Sequence, residues 1–402
     1  MIATFILLAI FSARASAFSL KGLPSWPTRG DLSHHARALV TEATAAPVEP
    51  IQLSEEDEAF IAQQEPVTLE ALTVDVSASE RATGRLEPAT LARAAGVLEA
   101  HGVVKLHGAW AAEPPLVEPI VDAIHDHYAS LMNQVAAKGF SQDDAFGFNQ
   151  IVHRSLGRYD MSLKGLVAFS RRHLDTGIPA GLNEESAGVQ LMRVLLASPL
   201  WIQFLSHVLG PDYKTTITAA LLARPGCAEQ APHCDGGHLF HSTHGFDLPS
   251  GSVSVLGSGS EPGDTGNAVA KTAAHVPAHA LQLFLPMCDS PLVRGPTEFW
   301  PGSHLGKNAA RAHLMPHRVV LEADAGDAVV FDFRVRHRGL ANRSEEWRPI
   351  LYQTCSRGWF TDDFNFPDSN LNDADGTAGG KGPPAAYESG SAGTRAGFIR
   401  KT

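Results

Sequence analysis

His233 and Asp235, in QAPHCDGG, stand about a hundred positions before His337, which ends the run AGDAVVFDFRVRH (337 − 235 = 102). This separated trio constrains the fold more than any other feature. Side chains at i and i+2 of a strand point the same way, so His233 and Asp235 can reach one point in space. The third group must arrive on another strand folded back alongside. The residues before His337 are rich in β-branched and aromatic types, as a strand requires. Two imidazoles and one carboxylate on one face of an octahedron leave the other face open. That is the ligand set of a non-haem Fe(II) site that activates O2.

Arg348 follows His337 by eleven positions (348 − 337 = 11), across the turn-like GLANRSEEW and at the head of PILYQT. Antiparallel strands joined in this way bring the two residues close. A guanidinium pairs bidentately with a carboxylate, as a dicarboxylic co-substrate would need. Cys234 sits between two ligands, but strand alternation turns it away from the metal. A second H-x-D, at His173–Asp175, follows Arg171 and Arg172 and reads as surface. His238, His241 and His244 could share a second metal only on a helix, and the Gly, Ser and Thr around them oppose one.

The ordered set of motifs resembles the phytanoyl-CoA dioxygenase family of Fe(II)/2-oxoglutarate oxygenases. GPTEFWPGSH (Gly295 to His304) looks like one family stretch, and GDAVVFDFRVRHRGLANRS (Gly326 to Ser344) like another; LMRVLLASPLWIQFLSHVLGPDY resembles the helix that ends in Leu-Gly-Pro. The resemblance covers roughly residues 85–360. It implies a mainly β fold with packed helices around a double-stranded β-helix (jelly-roll, cupin-like) core. It implies Fe(II), 2-oxoglutarate and O2 as cofactors, with His233, Asp235 and His337 on the iron and Arg348 on the distal carboxylate of 2-oxoglutarate. Asn342 and Ser344 match family positions and are given a supporting role beside the co-substrate. Gly339 departs from members that have a serine there, which leaves Arg348 with fewer partners. Related halogenases replace the carboxylate ligand with a small residue, so Asp235 favours hydroxylation or desaturation of a small organic substrate, with release of succinate and CO2. The alternative is a non-oxidative metal-binding protein of the same fold. His304, in its Pro-Gly-Ser-His turn, reads as structural.

The 402 residues, 44% hydrophobic, suffice for one large domain with extensions. The formal net charge of −11 comes with no basic stripe for nucleic acid and argues against anionic membranes. Four cysteines without a C-x-x-C pair read as free thiols. At the N-terminus, IATFILLAIF is too short for a bilayer, which needs ~20 apolar residues, and Ala15-Ser16-Ala17 has the small-x-small form of a cleavage site. Residues 1–17 are thus expected to be a signal peptide, with no stable membrane insertion after cleavage. Ala-Ser-Ala-Phe resembles the junction in bipartite presequences of algae with complex plastids. Residues 18–60, poor in acid at first, are then a transit peptide or linker, and the address is the plastid via the secretory route, with the ER or secretion as the alternative. The dioxygenase domain is expected over 61–360, a flexible tail over 361–402, and a mobile lid over the insert 238–278.

Further spacing predicts a helix over LEPATLARAAGVLEAHG ended by Gly102, a strand in GVVKLHGAW, and a helix in PPLVEPIVDAIHDHYASLMNQVAAKG whose Ile120, Ile124, Tyr128 and Leu131 face the core. Arg158, Tyr159 and Asp160 read as a salt-bridged strand ahead of substrate contacts.

Overall fold

A computed structural model of the chain describes residues 53–164, 166–167, 186–238, 277–362 and 365–373. The expected signal peptide, residues 18–52, the second H-x-D, residues 239–276 of the insert with His241 and His244, and residues 374–402 lie outside the described residues. The chain divides into two units, Met1–Glu58 and Ala59–Thr402. Of the first, only the acidic opening turn of helix α1 (Glu55–Ala62) and the residues just before it are described.

The second unit opens with strand β1 (Thr73–Asp75) and helices α2 (Ala78–Thr83) and α3 (Pro88–His101). Ser77 and Glu80 close a capping box at the start of α2. Proline begins α3, where its missing N–H costs nothing, and Gly102 ends it at φ 77° as the sequence predicts. A Cβ at Gly102 would lie 2.5 Å from the His304 ring, whose Nε2 is 3.1 Å from the carbonyl of Glu99. His304 therefore seals the end of α3, the structural role expected of it. After β2 (Val103–His107), helix α4 (Pro114–Ala137) buries Ile120, Ala123, Ile124, Leu131 and Val135, with Tyr128 packed alongside.

The hairpin β3 (Ile151–Ser155) and β4 (Arg158–Ser162) precedes helices α5 (Ala187–Leu196) and α6 (Pro199–Leu209). By length and composition the stretch Ala187–Leu209 could cross a membrane. Pro199 interrupts it, and its Val189, Met192, Trp201 and Phe204 belong to the main hydrophobic core.

The remaining strands are β5 (Lys214–Ala223), β6 (Ala280–Pro286), β7 (Thr297–Phe299), β8 (Val319–Leu321), β9 (Ala328–Asp332), β10 (His337–Gly339) and β11 (Arg348–Ser356). They pair as β1-β2-β9-β6-β11-β5-β4-β3 in one sheet and β10-β7-β8 in the other. An antiparallel bridge between His233 and His337 adds the His233 segment to the free side of β10. From β5 onward the chain thus passes back and forth between two antiparallel layers, with only β7 and β8 consecutive in one of them: β5, β6, β9 and β11 in the large sheet, and the His233 segment, β7, β8 and β10 in the small one. This is the jelly-roll expected from the sequence.

Strand alternation sorts the large sheet into two faces. Leu222, Leu283, Val330 and Leu351 meet the helices in the main core. On the other face, a second cluster containing Val103, Val329 and Phe331 packs on Phe299 and Leu321 of the small sheet, filling one end of the interior. At the β4–β5–β11 end the inward residues turn polar, and the site lies there.

The segment 365–373, expected within a flexible tail, is packed instead. Asn149 N–H donates to the carbonyl of Ser369 (2.7 Å), and Gln150 joins the side chain of Asn370 (2.6 Å) and the backbone of Leu371 (3.1 Å).

Candidate active site

The pairing of β10 decides which way the distal histidine points. Arg338 lies opposite Glu298 on β7, and the two form a 2.6 Å ion pair. Its neighbours His337 and Gly339 therefore take the other face of the strand, towards the large sheet. The bridge to His233 draws in the first histidine, and Asp235 follows two residues on. One ligand-type atom from each of His233, Asp235 and His337 lies within 4.8 Å of the other two. Nε2 of His337 is 3.7 Å from Oδ1 of Asp235, and the two imidazole centroids are 4.5 Å apart. Cis ligands at bonds of about 2.1 Å are separated by about 3 Å, so modest closure completes a facial set. Cys234 is outside this cluster, as alternation predicts.

The surroundings prepare both imidazoles for a metal. Nδ1 of His233 is 2.9 Å from the carbonyl of Ala231, and Nδ1 of His337 is 3.0 Å from that of Val335. A carbonyl only accepts, so each Nδ1 carries the proton and each Nε2 keeps its lone pair for the ion. Burial, and then the neighbouring His337, pull the His233 pKa down to about 4, which keeps its ring neutral. Phe299 and Phe331 hold the His337 ring at centroid distances of 5.7 and 4.9 Å.

The carboxylate has its own support. Thr354 Oγ1 donates to Gln282 Oε1 (2.8 Å), and Gln282 Nε2 donates to Asp235 Oδ2 (3.1 Å). The relay orients Asp235 with one oxygen toward the imidazoles. The sequence reading missed Gln282, although a lone amide in ALQLFLP is the signal that betrays it. Gln282→Leu is expected to weaken iron binding about 10–100-fold, the range for groups that orient a ligand. A metal titration of the anaerobic protein measures this; unchanged affinity would show that the relay is idle.

Arg348 is 1% exposed, at the start of β11. Its Nη1 donates to the carbonyl of Gly295, while Nε has no partner. Burial, with the nearby charge of Arg158 next, pulls its pKa down to about 9. No carboxylate faces it among the described residues, so a buried, incompletely bonded guanidinium awaits an anion. The residues present therefore fit both an Fe(II) ion and a dicarboxylic co-substrate.

Asn342 and Ser344, expected in a supporting role beside the co-substrate, are bonded within the turn that joins β10 and β11. Asn342 Nδ2 donates to the carbonyls of Ala223 (3.2 Å) and Glu346 (2.8 Å), and its Oδ1 accepts from the amide (3.1 Å) and hydroxyl (2.7 Å) of Ser344. Their polar atoms shape the β10–β11 turn. The turn still serves the site, because it sets where Arg348 begins β11. The Arg158–Asp160 reading also changes. Asp160 pairs with Arg154 (2.8 Å) and accepts from the Tyr352 hydroxyl (2.8 Å), whereas Arg158 has no acid among the described residues.

The sequence model of the phytanoyl-CoA dioxygenase (PhyH) family matches residues 105–350, more than half of the chain. The chain belongs to the phytanoyl-CoA dioxygenase family. It is accordingly a 2-oxoglutarate-dependent oxygenase, using Fe and 2-oxoglutarate. Among solved structures, it is similar to the epimerase SnoN in complex with Fe3+, alpha ketoglutarate and nogalamycin RO (18% identity, 74% of this chain and 94% of that one, TM-score 0.40). It is also similar to the carbocyclase SnoK from nogalamycin biosynthesis (14%, 73% and 87%, TM-score 0.40) and to AviO1 from Streptomyces viridochromogenes Tue57 (16%, 71% and 99%, TM-score 0.40). The family assignment rests on the sequence match.

Proposed function

We propose that this oxygenase hydroxylates an unactivated C–H bond of a small organic substrate, converting 2-oxoglutarate and O2 to succinate and CO2. The observation that carries the reading is the convergence of His233, Asp235 and His337, with both Nε2 atoms free, in the same interior as an acid-free Arg348. Bound iron would supply O2 activation coupled to co-substrate decarboxylation. The chain supplies the rest. His233 and His337 hold the ion without a proton to displace from Nε2. Asp235 fills the position whose carboxylate favours hydroxylation over halide transfer. Arg348 orients the co-substrate through its far carboxylate.

The inward face of the large sheet also carries Leu221, Ile350, Phe284 and Tyr352 beside the Arg154–Asp160 pair. An apolar wall with a few fixed polar groups suits a small organic substrate. The test is the full chain purified without oxygen, then given Fe(II), 2-oxoglutarate, O2 and a panel of candidate substrates, with succinate and product mass as readouts. Substrate-stimulated succinate and a product heavier by one oxygen atom are expected. An isomer of unchanged mass would replace hydroxylation with epimerisation, and loss of two hydrogens would indicate desaturation or ring closure. A folded, iron-loaded protein that makes no succinate would bring the non-oxidative metal-binding reading forward.

A further inference from the structure

From the geometry around Gly339 we infer that Arg158 is a second anchor for the distal carboxylate of the co-substrate, acting with Arg348. The inference rests on the 2-oxoglutarate reading above and adds a binding residue to it. Arg158 on β4 and Arg348 on β11 both lie opposite Ala223 on β5. Residues in register across neighbouring strands share a face, so both arginines point into the jelly-roll, with Cα atoms about 10 Å apart (two strand spacings). Between them Ala223 offers only a methyl group. Two arginine side chains can close that span around one carboxylate.

The position of the Arg158 guanidinium is recorded by its neighbours. A Cβ built on Gly339 would lie 2.6 Å from Arg158 Nη1 and 2.7 Å from Gln230 Oε1. Gly339 is two residues after the iron ligand His337 and on the same face of β10. The guanidinium therefore fills the place where residue 339 would carry a side chain, next to the metal-binding strand. Gln230 reinforces this, because its Oε1 accepts from the amide of Gly339 (3.0 Å).

Charge and bonding then ask for an anion. Arg158 is 0% exposed. Its Nη2 donates to the carbonyl of Leu340 (3.0 Å), with longer contacts to the Ala228 carbonyl (3.4 Å) and Cys227 Sγ (3.5 Å). Nε and Nη1 have no partner, and neither does Nε of Arg348. The buried acids of the described residues are engaged elsewhere: Asp160 with Arg154, Glu298 with Arg338 and Arg318, Asp332 with Arg334, Asp327 with Lys105 and His107, and Glu80 with the amides of Ser77 and Glu87. Two buried guanidiniums side by side without an acid are unfavourable unless an anion arrives. One carboxylate has enough lone-pair sites for donors from both.

A purely structural Arg158 and a co-substrate anchor differ in one readout. 2-Oxobutanoate has the same chelating 2-oxo acid group as 2-oxoglutarate but no distal carboxylate. The experiment is calorimetric titration of both acids into the full-length, Mn(II)-loaded protein. The variants are Arg158→Ala, Arg158→Lys, Gly339→Ser, the double variant Gly339→Ser/Arg158→Ala, and Arg348→Ala as reference. Arg158→Ala is expected to weaken 2-oxoglutarate about 30-fold or more, as loss of one partner of a buried charge pair does, while 2-oxobutanoate changes little. Arg158→Lys should retain part of the preference. Gly339→Ser should weaken 2-oxoglutarate by displacing the guanidinium, and the double variant should be no worse than Arg158→Ala alone. If Arg158→Ala and Arg158→Lys weaken both acids equally, or neither, while Arg348→Ala removes the preference for 2-oxoglutarate, the inference about Arg158 is overturned and the co-substrate reading stands. If Arg348→Ala also leaves the preference intact, the reading beneath it fails.

Discussion

Asp235→Ala is expected to abolish substrate oxidation while leaving the protein folded. The carboxylate is one of three ligand groups, and its loss should exceed the 10–100-fold effect of removing a group that merely orients a ligand. A fall in iron affinity of more than about 10²-fold is expected, with turnover at background. The fold should tolerate the change. Asp235 lies in the polar part of the interior, and among the described residues its side chain accepts one hydrogen bond, from Gln282. Leaving that amide unmatched costs about 1–3 kcal/mol, small against the stability of a large domain. Thermal melting of the metal-free variant measures the structural part, and succinate formation measures the catalytic part. Hydroxylated product from Asp235→Ala at the wild-type rate would sink the ligand assignment.

Much of this site is legible in the sequence because strand periodicity is a strong code. His233 and Asp235 share a face two residues apart, and the apolar run AVVFD ending at Asp332 announces the strand that precedes His337. The stop at Gly102 and the inward stripe of α4 are equally plain. What the sequence hides is partner choice. Arg158 and Asp160, two apart on one strand, look like neighbours that neutralise each other. The register between β3 and β4 slips between His153 and Ser155, leaving Arg154 as an extra residue. Such a bulge re-aims a side chain, and Arg154 takes Asp160. Among the described residues, Arg158 is left without an acid by an event several residues away. The same limit applies to Asn342 and Ser344: their motif positions are conspicuous, but only the turn geometry shows that each satisfies the other.

Arg348→Met is expected to raise the KM for 2-oxoglutarate about 30- to 5000-fold, from the 2–5 kcal/mol that truncating one partner of a buried charge pair costs. Methionine fills much of the space of the arginine stem, so the cavity is small. The metal-free protein should melt no lower than wild type, and this sets the prediction apart from ordinary core damage. Burial and the neighbouring Arg158 already pull the Arg348 pKa down to about 9, so its charge is held at a cost. Removing an unaccompanied buried charge relieves that penalty. The single hydrogen bond to Gly295 is lost, and the carbonyl it leaves unmatched offsets part of the gain. Wild type should gain thermal stability when 2-oxoglutarate is added, as any native state does when it alone binds a ligand, and Arg348→Met should lose most of that gain. A variant that melts far below wild type without ligand, yet keeps its KM for 2-oxoglutarate, would make Arg348 a structural residue and remove the anion site from the fold.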